Sequence, residues 1–265
     1  MSDMQRTILD TITERARRGD KMLVRLIDPD KFDAHTLHNG SHAGDAQPGE
    51  GFDFYFVGGS TCGDCTAVVR AIHDTCPVPV ILFPGSPRQF TPEADALLFL
   101  TLMNSRDPRF LIEQHIQSAD AVVASGIETI PMGYILVDGG RVSTTQRLTG
   151  AQPLPQQNTD AIVRMARTAE LLGKRLIYLE AGSGALTPVG QDVIRAVRRA
   201  TGLPLIAGGG IRSVQQMNDA FRAGADLVVI GNHFEEHPES VSDFTGALSG
   251  RCRCIIGPLS GQHRE

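Results

Sequence analysis

Three glycine-rich segments carry the first chemical signal: Tyr178-Leu-Glu-Ala-Gly-Ser-Gly184, Ala207-Gly-Gly-Gly-Ile-Arg212 and Ile230-Gly-Asn-His233. Each follows a short apolar or β-branched run. Lacking a Cβ, glycine lets backbone N–H groups approach an anion closely, and loops of this kind beside a short helix N-terminus form a recurrent phosphate grip. A tight turn alone accounts for any one segment. It accounts poorly for three in succession, which point to one bound phosphate without identifying a reaction.

Two further strand ends carry oxygen chemistry. In Leu26-Ile-Asp-Pro-Asp-Lys31, Pro29 fixes its own φ and biases Asp28 towards an extended conformation, so the Asp28 carboxylate is held at a strand end. A hard cation such as Mg2+ wants such a ligand, with water and substrate phosphate completing its octahedron; a turn or cap role is the competing reading. Val57-Gly-Gly-Ser-Thr61 offers glycines and hydroxyls to a neighbouring diphosphate, or a helix cap, and Ser60 would help hold a metal-bound substrate. Tyr178 and Glu180 are two residues apart, so on a strand both side chains point to one face.

These residues need elements to place them. From Met22 onward, short apolar runs alternate with amphipathic stretches of helical length, the pattern of repeated βα units. Eight strands are expected, at Met22–Asp28, Phe52–Gly58, Val78–Phe83, Leu97–Met103, Gly133–Asp138, Arg175–Glu180, Leu203–Ala207 and Leu227–Ile230, after a leading helix over residues 3–18. Eight parallel strands close into a (β/α)8 (TIM) barrel without edges, so one α/β domain over residues 1–265 is expected. The polar run Leu37–Gly51 reads as a mobile surface insertion. Gly139 to Asn158 reads as a βα loop on the catalytic face, either a lid or a long exposed connection.

Composition limits the remaining classes. At 265 residues, 41% hydrophobic and 21% charged, the chain is expected to be globular, and its apolar runs, such as Ala96 to Leu102, are strand-sized. Residues Met1 to Asp20 lack the apolar core of a secretory signal, so a cytoplasmic location is expected. A net charge of −5 argues against a nucleic-acid surface. The five cysteines are expected as free thiols, since Cys62-Gly-Asp-Cys65 has no second ligand pair at zinc spacing.

Taken in order, Leu26 to Lys31, Val57 to Thr61, Tyr178 to Ala185, Gly208-Gly-Gly-Ile-Arg212 and Gly231-Asn232 resemble the geranylgeranylglyceryl phosphate synthase family and its bacterial heptaprenylglyceryl relatives. The resemblance runs from residue 22 to about 235. It implies a modified TIM barrel that joins sn-glycerol 1-phosphate to a prenyl diphosphate with Mg2+ as cofactor. Glycerol phosphate would be bound by Tyr178, Leu179, Glu180, Ala181, Gly182, Ser183, Gly184, Gly209, Gly210, Gly231 and Asn232, and Asp28 and Ser60 would hold the metal. Leu82-Phe-Pro-Gly-Ser86 and Leu102-Met-Asn-Ser-Arg-Asp-Pro108 would border the prenyl diphosphate. Heptaprenyl-using relatives carry Lys-Leu-Asp-Pro-Asn at the first strand, which favours a twenty-carbon donor here. A homo-oligomer and transient contact with a membrane surface during product release are also expected.

In such a reaction Glu180 would accept the glycerol hydroxyl proton or merely orient the hydroxyl, and Tyr178, with an ordinary pKa of about 10, would position substrate. Two other readings stay open. A sugar-phosphate isomerase or aldolase shares the glycine loops, although Lys21, Lys31 and Lys174 lie outside the strand candidates where a Schiff-base lysine would sit. A non-catalytic phosphate-binding barrel would need neither Asp28 nor Glu180.

Overall fold

The structure is a computed structural model and describes residues 7–37, 51–59, 61 and 63–252. Eight parallel strands pair in chain order and close on themselves. They are β1 (Met22–Ile27), β2 (Phe54–Val57), β3 (Val80–Leu82), β4 (Ala96–Leu102), β5 (Glu128–Leu136), β6 (Leu176–Glu180), β7 (Leu205–Gly208) and β8 (Leu227–Ile230). Closure is made by β8 on β1, with Met22 opposite Leu227 and Arg25 opposite Ile230. Each expected strand is present. The fifth starts five residues early, because Glu128 to Ile130 pair with Ala96 to Leu98, and the missing N–H of Pro131 does not interrupt the ladder.

The helices are α1 (Ile8–Arg18), α2 (Thr66–His73), α3 (Glu113–Ser125), α4 (Thr144–Thr149), α5 (Thr159–Leu171), α6 (Gln191–Ala200), α7 (Val214–Ala223), α8 (Asn232–Glu236) and α9 (Val241–Cys252). Period-two alternation divides the strand side chains between two cores. Met22, Val24, Phe56, Leu98, Met132 and Ile206 fill the barrel interior, whereas Leu23, Tyr55, Ile135, Ile177 and Val228 pack outward under the helices. One βα unit lacks its helix. Between β3 and β4 the chain makes only a short 3-10 turn at Pro87–Gln89, since Pro84, Pro87 and Pro92 punctuate the segment too closely for a helix to propagate.

The leading helix begins at Ile8 because Thr7 caps it, its side chain accepting from the Asp10 N–H. Its Ile12 is wholly buried against the interior core and closes the bottom of the barrel. The early start of β5 has a purpose here: the Glu128 carboxylate accepts from the Ile8 and Leu9 N–H groups at 2.7 and 2.8 Å. A carboxylate at a helix N-terminus satisfies orphan donors and complements the helix dipole. Glu128→Ala is therefore expected to cost about 1–2 kcal/mol in urea unfolding, and Glu128→Gln, which keeps an acceptor, distinctly less. Equal losses in the two variants would assign the effect to packing.

Residues 38–50, the body of the expected insertion, lie outside the described residues. Of its ends, Leu37 is buried in the outer core and Gly51 has φ +90°. No helix among the described residues is long and apolar enough to cross a membrane.

Candidate active site

The carboxyl ends of all eight strands open into one cleft of about 490 Å3. Its walls differ in character. The β6, β7 and β8 loops contribute Glu180, Ser183, Gly184, Gly209, Gly210, Gly231 and Asn232, a polar wall rich in backbone N–H groups. Opposite, Phe83, Leu100, Leu102, Phe110, Tyr134 and Leu148 make an apolar wall from the β3, β4 and β5 units. Where the helix between β3 and β4 is missing, a smaller hollow shares Pro84, Leu100, Phe110 and Gln114 with the cleft and so adjoins it.

Glu180 ends β6 facing inward and is 6% exposed. Burial raises its pKa from the ordinary carboxylate range to about 7, against the opposing pull of the Gly182 N–H and the Tyr178 hydroxyl. The Gly182 N–H donates to Oε1 at 2.6 Å. Gly209, at φ +80°, passes so close to this carboxylate that any Cβ there would collide with Oε1. Tyr178 lies below, buried, stacked on Phe83 at 5.5 Å and 9° and packed on Tyr134 at 5.2 Å. Burial, reinforced by the neighbouring Glu180, pushes the Tyr178 hydroxyl well above its usual pKa, so it remains a donor. Gly208 must be glycine because a Cβ would strike the Tyr178 hydroxyl.

The β6 and β8 loops are tied together by the Ser183 Oγ, which donates to Asn232 Oδ1 at 3.1 Å. Arg212 braces the same arc, its Nη2 donating to the Ala185 carbonyl at 2.6 Å. Three members of the expected glycerol-phosphate set do not line the cleft. Leu179 and Ala181 alternate out of phase with Tyr178 and Glu180, so they are buried in the outer core under the helices. Gly182 acts on Glu180 through its N–H and is not part of the cleft lining.

Asp28 stands across the cleft. Its Oδ1 caps the turn Pro29–Lys31 by accepting from the Asp30 N–H at 3.1 Å, while Oδ2 is 3.9 Å from Lys31 Nζ. The cap role expected of Asp28 is thus met by one carboxylate oxygen, and the other faces Lys31. Gly59 lies against it: a Cβ there would come within 2.7 Å of Oδ1. Lys31 Nζ also donates to Glu235 Oε2 of α8 at 2.8 Å. Partial burial works against the Lys31 charge, but the hydrogen bond and charge of Glu235, with Asp28, hold its pKa above normal. Ser60, the other expected metal ligand, lies outside the described residues. No group of three or more His, Cys, Asp or Glu among the described residues could hold a metal by itself. A single carboxylate facing a substrate diphosphate does fit Mg2+, which keeps water and phosphate oxygens as its remaining ligands.

Of the bordering segments, Phe83, Pro84, Gly85 and Leu102 reach the cleft. Residues 103–108 do not, and the Asn104 side chain is structural: Nδ2 donates to the Leu136 and Gln152 carbonyls and Oδ1 accepts from Leu136 N–H. The stretch from Gly139 to Asn158 contains α4, capped by Ser143 and Gly150, and Thr144, Thr145, Leu148 and Thr149 cover the β5 side of the cleft. Sequence reasoning overlooked Tyr134 and Glu235. Tyr134 shares the inward phase of Met132 and Leu136, a signal open to a period-two reading, whereas the return of Glu235 to Lys31 is tertiary.

Fold and cleft define the class: a (β/α)8 barrel whose polar mouth is built from glycine loops after its last three strands and whose opposite wall is apolar. Residues 16–247 match the model of the PcrB family, and the chain belongs to that family. It is 44% identical over 230 residues to the geranylgeranylglyceryl phosphate synthase of Zunongwangia profunda, covering 86% of this chain and 97% of that one. The synthase of Korarchaeum cryptofilum is 35% identical over 235 residues, covering 88% and 95%. Among solved structures, (S)-3-O-geranylgeranylglyceryl phosphate synthase from Thermoplasma acidophilum in complex with sn-glycerol-1-phosphate superposes with a TM-score of 0.84 at 31% identity, covering 93% of this chain and all of that one.

Proposed function

We infer that the protein is a prenyltransferase that joins sn-glycerol 1-phosphate to geranylgeranyl diphosphate, forming an ether bond and releasing diphosphate. The observation that carries this reading is Glu180, a buried carboxyl with a pKa of about 7, set in the glycine-loop wall of a cleft whose other wall is apolar. Similarity to a synthase bound to sn-glycerol-1-phosphate supports placing that substrate on the β6–β8 loops.

The phosphate would rest on the backbone of Gly184, Gly209, Gly210 and Gly231, with Ser183 and Asn232 beside it. Glu180 would face the glycerol hydroxyl. As that oxygen bonds to C1 of the allylic chain, the C1–O bond to diphosphate breaks, and the hydroxyl proton passes to Glu180. Tyr178, kept protonated by burial, donates a hydrogen bond and positions its neighbours. Mg2+, held by Asp28 with Ser60, would supply Lewis-acid neutralisation of the leaving diphosphate. The prenyl chain would lie along Phe83, Leu102, Tyr134 and Phe110, with the hollow left by the missing helix giving it length.

The aldolase alternative requires a neutral lysine, and Lys31, the lysine at the mouth, is held charged by Glu235. A cytoplasmic location suits substrates that both carry phosphate groups. Self-association belongs to this reading as well: Ile116 and Val123, 67% and 80% exposed, leave an apolar stripe on α3, and a solution mass above that of one chain checks it.

A panel of prenyl diphosphates of several lengths, each with and without Mg2+, tests donor and cofactor together; geranylgeranyl diphosphate should have the highest kcat/KM and EDTA should abolish turnover. A pH dependence follows from Glu180. The base must be ionised, so kcat/KM should fall with unit slope below about pH 7 and level off above it. The substrate phosphate titrates nearby, at about 6. Glu180→Gln separates the two, since residual activity in that variant should lose the limb near pH 7 and keep only the substrate's.

A further inference from the structure

Lys31 stands where prenyl transfer needs a cation besides Mg2+. It lines the cleft near Asp28, and its Nζ donates to Glu235 Oε2 at 2.8 Å. An ammonium has three N–H donors; Glu235 takes one, and Asp28 Oδ2, at 3.9 Å, is too far for a second. Two remain for a ligand. The side chain is 49% exposed, so it can turn into the cleft without disturbing the core.

The charge around it is otherwise of one sign. Asp28, Glu235 and Glu236 line this part of the cleft and act on Lys31, and Asp30 accepts from the Thr61 hydroxyl at 2.8 Å close by. Among the described residues that line the cleft, only Lys31, Arg212 and His233 can carry positive charge. Arg212 is committed to the glycine-loop wall through the Ala185 carbonyl, and His233 follows Asn232 on that wall. The Asp28 side has Lys31 alone. As a tie for the fold, an ion pair between such exposed side chains is weak, and the β8–β1 ladder already joins the two segments that carry it. Chemistry gives the pair a stronger use. A prenyl diphosphate carries more negative charge than one Mg2+ cancels, and as the C1–O bond breaks, its electron pair passes to the departing oxygen.

We propose that Lys31 is a further catalytic residue: it binds the donor diphosphate and hydrogen-bonds it as it leaves, and Glu235 is the counterion that holds the ammonium at the cleft edge until the diphosphate arrives. This rests on the prenyl-transfer reading. No proton passes to the diphosphate in the step, since Lys31 stays charged and the glycerol proton goes to Glu180. Glu235 repels the anion that Lys31 attracts, so it weakens the hold on the product diphosphate and favours its departure.

Calorimetric titration of the full chain with inorganic diphosphate at saturating Mg2+ reads the contact without turnover. Lys31→Met should weaken diphosphate binding by roughly tenfold or more, the range of a charge-assisted hydrogen bond, and Lys31→Arg should restore most of it. Glu235→Gln should act in the opposite direction and tighten binding by about threefold, because the amide keeps an acceptor for Lys31 and sheds the charge that faces the anion. Glycerol phosphate affinity and the midpoint of thermal unfolding should stay at wild-type values in all three. In turnover, Lys31→Met should lower kcat/KM for the prenyl donor and leave KM for glycerol phosphate unchanged. Losses of like sign and size in Lys31→Met and Glu235→Gln would make the pair a structural tie and overturn the proposal. So would wild-type diphosphate affinity in Lys31→Met, or no diphosphate binding by wild type. If wild type forms ether product and Lys31→Met matches its kcat/KM, the role of Lys31 alone is wrong; if wild type forms none with any donor, the prenyl-transfer reading falls and the role of Lys31 with it.

Discussion

Glu180→Gln will lower kcat by about 10²–10⁴-fold at saturating Mg2+, the range contributed by a positioned general base, with KM for both substrates nearly unchanged. An amide can still hydrogen-bond the glycerol hydroxyl, but it cannot take the proton. A variant that keeps more than about a tenth of wild-type kcat would make Glu180 an orienting group. Stability supplies the control. Because burial raises the folded-state pKa of Glu180 to about 7, its contribution to stability is fully present below its unfolded value near 4.5 and is lost as pH rises through about 7. At pH 8 the wild-type fold carries a buried charge whose cost is on the order of 3 kcal/mol, which Gln removes. The variant should therefore be no less stable than wild type at pH 8, and inactivity there would not reflect unfolding.

Asp28→Asn should lower turnover by at least about 10²-fold, since Lewis-acid neutralisation of a leaving group is worth several kcal/mol. Asparagine retains an oxygen to accept from the Asp30 N–H, so the turn over Pro29–Lys31 should survive. Glycerol phosphate affinity, measured by calorimetry without the second substrate, should barely change, because the loops proposed to bind it lie across the cleft. A fall in that affinity to match the fall in turnover would separate Asp28 from the diphosphate. A raised Mg2+ requirement in the variant would locate it at the metal.

The parts of this site legible in sequence were those fixed locally. Glycine-rich loops at strand ends and the Asp-Pro at the end of β1 depend on backbone conformation, which a short segment sets by itself. The inward phase of Tyr178 and Glu180 follows from strand periodicity, and the same rule, applied to Leu179 and Ala181, would have placed them outside the cleft. The resemblance to family motifs includes them in the substrate set as members of one continuous segment. Other features needed the closed barrel. Lys31 meets Glu235 only because β8 pairs with β1, and the near-neutral pKa of Glu180 arises from burial among Tyr178, Gly209 and neighbouring strand ends. The absence of a helix between β3 and β4 was written in Pro84, Pro87 and Pro92, yet its meaning as extra length for an apolar wall required the position of Phe110 across the gap.

The central claim is that one cleft makes an ether bond between glycerol phosphate and a prenyl chain. Incubating the protein with Mg2+, geranylgeranyl diphosphate and isotopically labelled sn-glycerol 1-phosphate tests it, with the organic-soluble product identified by mass and the released diphosphate counted. The account predicts one diphosphate for each geranylgeranylglyceryl phosphate, with little product from sn-glycerol 3-phosphate. Diphosphate release without incorporated label, or no reaction with any prenyl donor, would contradict it.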